Sequence, residues 1–263
     1  MPDWSAGYVS ELGYTYGYYP ELNPNRVPLA LLVKGIAPPK IETALELGFG
    51  QGVSINVHSA ASDVDWWGTD FNPSQASFAK SLAEKSRGDV KLFDGAFAEL
   101  ALRDDLPKFD YIGLHGVWSW VSDANRQAIL EIIRKNLAIG GVVYTSYNTL
   151  PGWSGFAPMR HLLTEHAQHL TSDGAGMINR IDGALAFATS LLETNPRYID
   201  VHPATRDRLD GIQQQNRHYL AHEFFNRDWH PEYFASVADA MSGAKLSYAC
   251  GANYLDFIDS INL

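Results

Sequence analysis

Between positions 41 and 148 the apolar residues alternate between two kinds of spacing. "IETALELG" (41–48), "VDWWGTD" (64–70), "DVKLFDG" (89–95), "FDYIGLHGV" (109–117) and "VVYTSYN" (142–148) are short, nearly continuous apolar runs. Such runs are predicted as buried strands. The segments between them, 52–62, 72–86, 96–106 and 122–141, read as helices. Asn72 suits an N-cap, and Pro73 sits at the first helical position, where its missing N–H costs nothing. In 122–141, Ile129, Ile132, Ile133 and Leu137 share one face, and the closing glycines predict a stop.

Regular alternation of strand and helix predicts an α/β fold with a doubly wound, mostly parallel sheet. Ligands of such sheets bind beyond the carboxyl ends of the strands. Candidate chemistry is therefore sought at 48–52, 70–72, 93–97, 114–121 and 147–153. Residues 1–40 are expected to form an N-terminal arm or lid, with a helix over 27–36 stopped by Gly35 and "APPK". The expected core spans 41–156. From 157 to 263 the texture is helical and reads as a cap on the same domain, with a return strand near 245–250.

Composition narrows the function classes. Hydrophobic residues make up 46% and charged residues 19%, as in a core-forming chain. No apolar run approaches the ~20 residues of a membrane span, and no leader-like segment opens the sequence. The single cysteine, Cys250, excludes an intrachain disulfide and fits a reducing, cytoplasmic setting. The formal net charge of −10, with Lys and Arg scattered, disfavours nucleic acid as a partner. A small molecule or a basic protein suits it better.

The first predicted strand runs into "LELGFGQG". Gly48, Gly50 and Gly52 permit a sharp turn and a close ligand approach, and the helix behind them offers free N–H groups. The dinucleotide pattern G-x-G-x-x-G/A would place Val53 at its last position. The pattern acidic-x-G-x-G-x-G of S-adenosylmethionine sites is matched at every fixed position, from Glu46 to Gly52. Glu46 is placed to hold an α-ammonium group. Asp70, followed by Phe71, ends the second strand and suits a pair of ribose hydroxyls. Asp94 ends the third and suits an adenine amino group, with Gly95 and Ala96 leaving room for the ring. Helix capping or a surface turn are the plainer readings of these acids.

Over 41–150 these residues resemble the class I S-adenosylmethionine-dependent methyltransferases. "GYYPELNPNRVP", "LHGVWSWV", "YNTLPGW" and "YLAHEFFNRDWHPEYF" more narrowly resemble bacterial methyltransferases carrying a methyltransferase regulatory region. Some of that group are similar to rickettsial protein-lysine methyltransferases. The resemblance implies a Rossmann-like methyltransferase sheet, S-adenosyl-L-methionine as cofactor, and methyl transfer to an N or O acceptor. A protein amine comes first and a small molecule second. Further domains follow the sheet in those enzymes, so the chain is expected to be a short or shortened relative. The usual last antiparallel strand is not legible. "LHGVWSW" also replaces the Asn/Asp-Pro-Pro-Tyr motif, so neither adenine nor a glutamine side chain is indicated as acceptor.

On the acceptor side, His115 follows the fourth strand. It suits either a base or a hydrogen bond to backbone or cofactor carboxylate. Tyr147 and Asn148 end the fifth strand and could orient an acceptor. Trp118 and Trp120 read as pocket or core. Tyr14, Tyr16, Tyr18 and Tyr19 form an aromatic cluster in the arm, with Tyr18 and Tyr19 expected to reach the site beside the stiffening Pro20. His161, Glu165, His166, His169 and Asp173 lack a metal-ligand motif and read as a solvated face, so no metal is expected. Two other readings remain open. One is an NAD(P)-dependent oxidoreductase using the same glycines. The other is a module that binds S-adenosylmethionine without catalysis.

Overall fold

A computed structural model of the chain describes residues 8, 9, 11–86, 88–172 and 174–262. Two compact units emerge: Tyr16–Tyr147 with Phe234–Leu263, and Met1–Thr15 with Asn148–Tyr233. The expected arm therefore divides at Tyr16. Its residues 1–7 and 10, like Asp173, lie outside the described residues.

In the first unit α1 (Val27–Val33) precedes β1 (Thr43–Leu47), α2 (Val53–Ala60), β2 (Asp65–Asp70), α3 (Pro73–Ser86), β3 (Val90–Asp94), α4 (Phe97–Ala101), β4 (Phe109–Leu114), α5 (Asp123–Asn136) and β5 (Leu137–Thr145). The five strands lie in the order β3-β2-β1-β4-β5 and are all parallel. The sheet buries apolar side chains on both faces, as parallel sheets must. On one face Ala44, Trp66 and Tyr111 pack against Ile55 of α2 and Ala76 and Ala79 of α3. On the other, Leu45, Leu47, Ile112 and Leu114 meet Leu100 of α4 and Ile129, Ile132 and Ile133 of α5.

The second unit contains α6 (Ala157–His169), α7 (Met177–Glu193), α8 (Arg197–Val201), α9 (Ala204–Gln213) and α10 (Arg217–Phe224). Leu163, Ile181, Leu185, Leu209 and Leu220 are among its core residues. The chain's start is tied to α10 here. Val9 N donates to Asn226 Oδ1, and His222 Nε2 lies 2.9 Å from Leu12 O. Tyr14 packs edge-on against the His222 ring. The chain then returns to the first unit with α11 (Phe234–Gly243) and the short α12 (Asp259–Asn262).

Three expected boundaries change. The helix expected to reach 141 ends at Asn136, and β5 begins at Leu137. Phe109 pairs with Leu137 and Tyr111 with Val142, so residues 138–141 bulge out of the ladder. The glycines in "AIGG" serve that bulge rather than a helix stop. Leu137 packs on the same core whether it closes a helix or opens a strand, so periodicity could not separate the two. The helix expected over 96–106 stops at Ala101. The return strand near 245–250 is absent. Lys245 takes φ 65°, and Leu246 N bonds back to Met241 O, a stop that tucks Leu246 against the core instead of into the ladder.

Candidate functional site

The turn after β1 is held from beneath by β2. Gly48 N and Phe49 N both donate to Thr69 O, and Gly52 N donates to Phe49 O. Gly48 and Gly52 have φ 76° and 70°. Added Cβ atoms would lie 2.7 Å from Val117 Cγ2 at Gly48 and 2.4 Å from Ala79 Cβ at Gly52. The Asn56 amide ties Gly52 O to Ala79 O, fixing α2 to α3. The third glycine thus serves helix–helix contact and lets the turn sit close over the strand ends.

Three acids line those ends. Glu46 lies in β1 and is 2% exposed, and its Oε2 has no hydrogen-bond partner among the described residues. Burial, and then the charge of Asp70, push its pKa up to about 8. The Tyr111 hydroxyl is likewise buried and unpartnered; burial and the neighbouring Tyr144 and Glu46 raise its pKa. Asp70 closes β2. Its two oxygens accept from Gly50 N at 2.8 Å and Asn72 N at 2.9 Å. Asp70 therefore builds the turn, while each oxygen keeps a second lone pair for a ligand. Its pKa rises to about 6 because burial outweighs those two bonds, with Asp94 adding repulsion. Asp94 pairs with Asp70 across the ladder and is exposed. Phe71 is half-buried beyond Asp70, Gly95 N donates to Asp70 O, and Ala96 N donates to Glu99 Oε2.

The matching family model, a methyltransferase domain, covers residues 45–143, which contain this turn and all three acids. A structure of PKMT2 from Rickettsia typhi in complex with AdoHcy superposes with a TM-score of 0.74, at 25% identity, over 91% of this chain and 46% of that one. The chain carries a class I S-adenosylmethionine-dependent methyltransferase domain. Residues 216–263 match a second family model, described as a predicted methyltransferase regulatory domain. An uncharacterized protein of Synechocystis sp. is 40% identical over 99% of this chain and 52% of its own length. An uncharacterized protein of Rickettsia prowazekii is 36% identical over 51% of this chain and 54% of its own. The chain spans about half the length of these relatives.

At the end of β4 in this methyltransferase domain, His115 is half-buried, and burial lowers its pKa despite the nearby Glu21. The Tyr19 ring packs on it at 4.9 Å, and the Tyr144 ring stacks nearly parallel at 9°. The arm is fastened at several points. Tyr19 N donates to Ser54 Oγ at 2.7 Å, Tyr18 Oη lies 3.3 Å from His58 Nε2, and Leu22 sits against Gly113. Tyr16 instead packs on Phe78 of α3. Tyr147 packs at the margin of the α5-side core, and Asn148 opens the helical unit, where its carbonyl accepts from Glu232 N. Trp118 and Trp120 are buried. His161 and His169 each lie within 4.0 Å of Glu165, and no cluster of three metal-ligating side chains occurs among the described residues. Among those residues no helix is long and apolar enough to cross a membrane.

Tyr144, Ser146 and Tyr111 join this site unannounced by any motif. Their signal is polar groups inside otherwise apolar strands: Tyr144 and Ser146 share one side of β5 and its extension, and Tyr111 lies within β4.

Proposed function

We propose that the domain binds S-adenosylmethionine across the carboxyl ends of β1, β2 and β3 and transfers its methyl group to an amine, a protein side chain before a small molecule. The observation that carries this reading is Glu46: a buried carboxylate with an unpartnered oxygen, at the strand end before the glycine turn. A carboxylate is not stable there without a cation, and the cofactor's α-ammonium provides one. The positive φ at Gly48, Gly50 and Gly52 fits a sharp turn over the strand ends of the kind such a ligand needs. The PKMT2 likeness and the acidic chain, at −10, support a basic protein segment as acceptor.

When bound, the cofactor supplies an electrophilic methyl group on a sulfonium. The chain's residues do the rest. Glu46 receives the ammonium, the spare lone pairs of Asp70 receive the ribose hydroxyls, and Asp94 receives the adenine amino group beside Gly95 and Ala96. Gly48, Gly50 and Gly52 give backbone access, and Phe71 flanks the ribose acid. His115, Tyr19, Tyr147 and Asn148 are assigned to the acceptor side, with Tyr19 shielding the reacting centre from water.

Calorimetry with S-adenosylmethionine tests the assignment, and absence of binding to the native chain would sink it. Asp94→Ala is expected to weaken binding about tenfold with the urea midpoint unchanged, because the side chain is exposed and structurally uncommitted. Asp70→Ala should lose both affinity and stability, because it also frees Gly50 N and Asn72 N. Equal stability losses in the two variants would refute the division of roles. Tyr19→Ala should lower turnover several-fold while leaving the circular dichroism spectrum unchanged, since only the ring is removed and the Tyr19 N bond to Ser54 persists. Unchanged turnover would reduce the arm to packing.

A further inference from the structure

A backbone amide can only donate, and Gly116 N sets the direction of a chain of hydrogen bonds beside β4 and β5. Gly116 N donates to Ser146 Oγ at 2.8 Å. Ser146 hydrogen-bonds the Tyr144 hydroxyl and also lies 3.3 Å from His115 Nδ1. Tyr144 Oη lies 2.8 Å from the same Nδ1. With Ser146 Oγ accepting from Gly116, its own proton passes to Tyr144 Oη, and the Tyr144 proton passes to Nδ1. In the reverse direction Nδ1 is protonated and the Tyr144 hydroxyl donates to Ser146, so neither of these two partners can take the Ser146 proton. Neither end of the Tyr144–His115 bond carries charge at neutral pH. Burial holds the imidazole below its usual pKa and pushes the phenol up to about 12. A neutral imidazole that accepts at Nδ1 carries its proton on Nε2.

We propose that Tyr144 and Ser146 are positioning residues that hold His115 as the Nε2–H tautomer, so that it presents a hydrogen-bond donor, not a base, to the site. This rests on the proposed methyl transfer and sharpens its acceptor class. A hydroxyl needs a base to become nucleophilic; an amine that arrives neutral does not. The amine lone pair forms the N–C bond as the C–S bond breaks. The electron pair stays on sulfur, which becomes a neutral thioether, and the surplus proton leaves the new ammonium to water. Nε2–H then bonds a carbonyl- or carboxylate-type oxygen of the bound ligands.

Long-range proton–nitrogen correlation of the full chain labelled with nitrogen-15 histidine tests this directly. His115 is assigned by the signals lost in His115→Gln. The expected wild-type pattern is pyridine-type at Nδ1 and pyrrole-type at Nε2. Tyr144→Phe should convert it to an averaged or reversed pattern, and Ser146→Ala, the smaller change, should move it the same way. A reversed pattern in the native chain, or no response to either variant, would overturn the proposal. In turnover, His115→Gln keeps a donor and should retain at least about tenfold more activity than His115→Ala. Equal losses of roughly 100-fold or more are what a base predicts, and they would overturn it too. The tautomer pattern is read without cofactor or acceptor, so a failure to detect methyl transfer would count against the proposed function and not against this assignment.

Discussion

Glu46→Gln is expected to stabilise the chain while weakening S-adenosylmethionine binding at least about tenfold, the cost of losing one charged hydrogen bond. The carboxyl is 2% exposed and its pKa stands near 8, raised from 4.5 by burial and by Asp70. A raised acid favours the folded state only while protonated. Its contribution is complete below pH 4.5 and is lost as pH rises through 8. At pH 7 the loss has reached on the order of 3 kcal/mol, and Gln does not incur it. Urea titrations between pH 6.5 and 8.5 should therefore show native stability falling more steeply than that of the variant, in which Glu223, pushed up to about 7 by burial, still titrates; parallel curves would refute the account. The same linkage predicts that binding an ammonium draws the proton off Glu46. Calorimetry at pH 6.5 in buffers of different ionisation enthalpy should report nearly one proton released by the native chain and none by the variant. Affinity should strengthen with pH until about 8 and level off there. A stability deficit at a ligand site is the usual sign that the site is shaped for its ligand and not for the empty fold.

The parts of the fold that follow from chain periodicity were legible, because burial on both sheet faces leaves continuous apolar runs and α5 gathers Ala128, Ile129, Ile132 and Ile133 on its buried face. The glycine turn and the placement of Glu46, Asp70 and Asp94 toward the ends of β1, β2 and β3 were legible because the apolar runs fix where each strand stops. What escaped notice depends on contacts between strands. Tyr144 and Ser146 look like ordinary residues of "VVYTSYN" until β5 is registered beside β4 and His115 comes within reach. The true start of β5 was hidden because Leu137 faces the same core in either conformation. The double duty of Asp70 could not be read from its position alone, since only the folded turn shows Gly50 N aimed at it. The tyrosine cluster proved heterogeneous: Tyr14 belongs with the helical unit, Tyr16 with α3, Tyr18 with His58 in the last turn of α2 and away from the glycine turn, and Tyr19 with His115 at the end of β4.

Gly52→Ala should be the most damaging single methyl group added to the chain. Two costs coincide at this position. The backbone sits at φ 70°, which strains any side chain, and the new Cβ would lie 2.4 Å from Ala79 Cβ, a 0% exposed residue of α3. Strain and overpacking together predict a loss of roughly 2–6 kcal/mol. Gly35 separates the two. It has φ 71° but nothing within 4 Å of its missing Cβ, so Gly35→Ala reports strain alone, about 1 kcal/mol. The excess at Gly52 then measures how tightly α2 is drawn against α3. Adding Ala79→Gly to Gly52→Ala should recover that excess but not the strain, giving a coupling that Gly35→Ala and Ala79→Gly do not show. Equal losses at Gly35 and Gly52 in urea denaturation would mean that the turn tolerates a wider spacing. In that case the third glycine would be explained by its backbone angle alone, and the close seat of α2 behind the glycine turn would lose its physical basis.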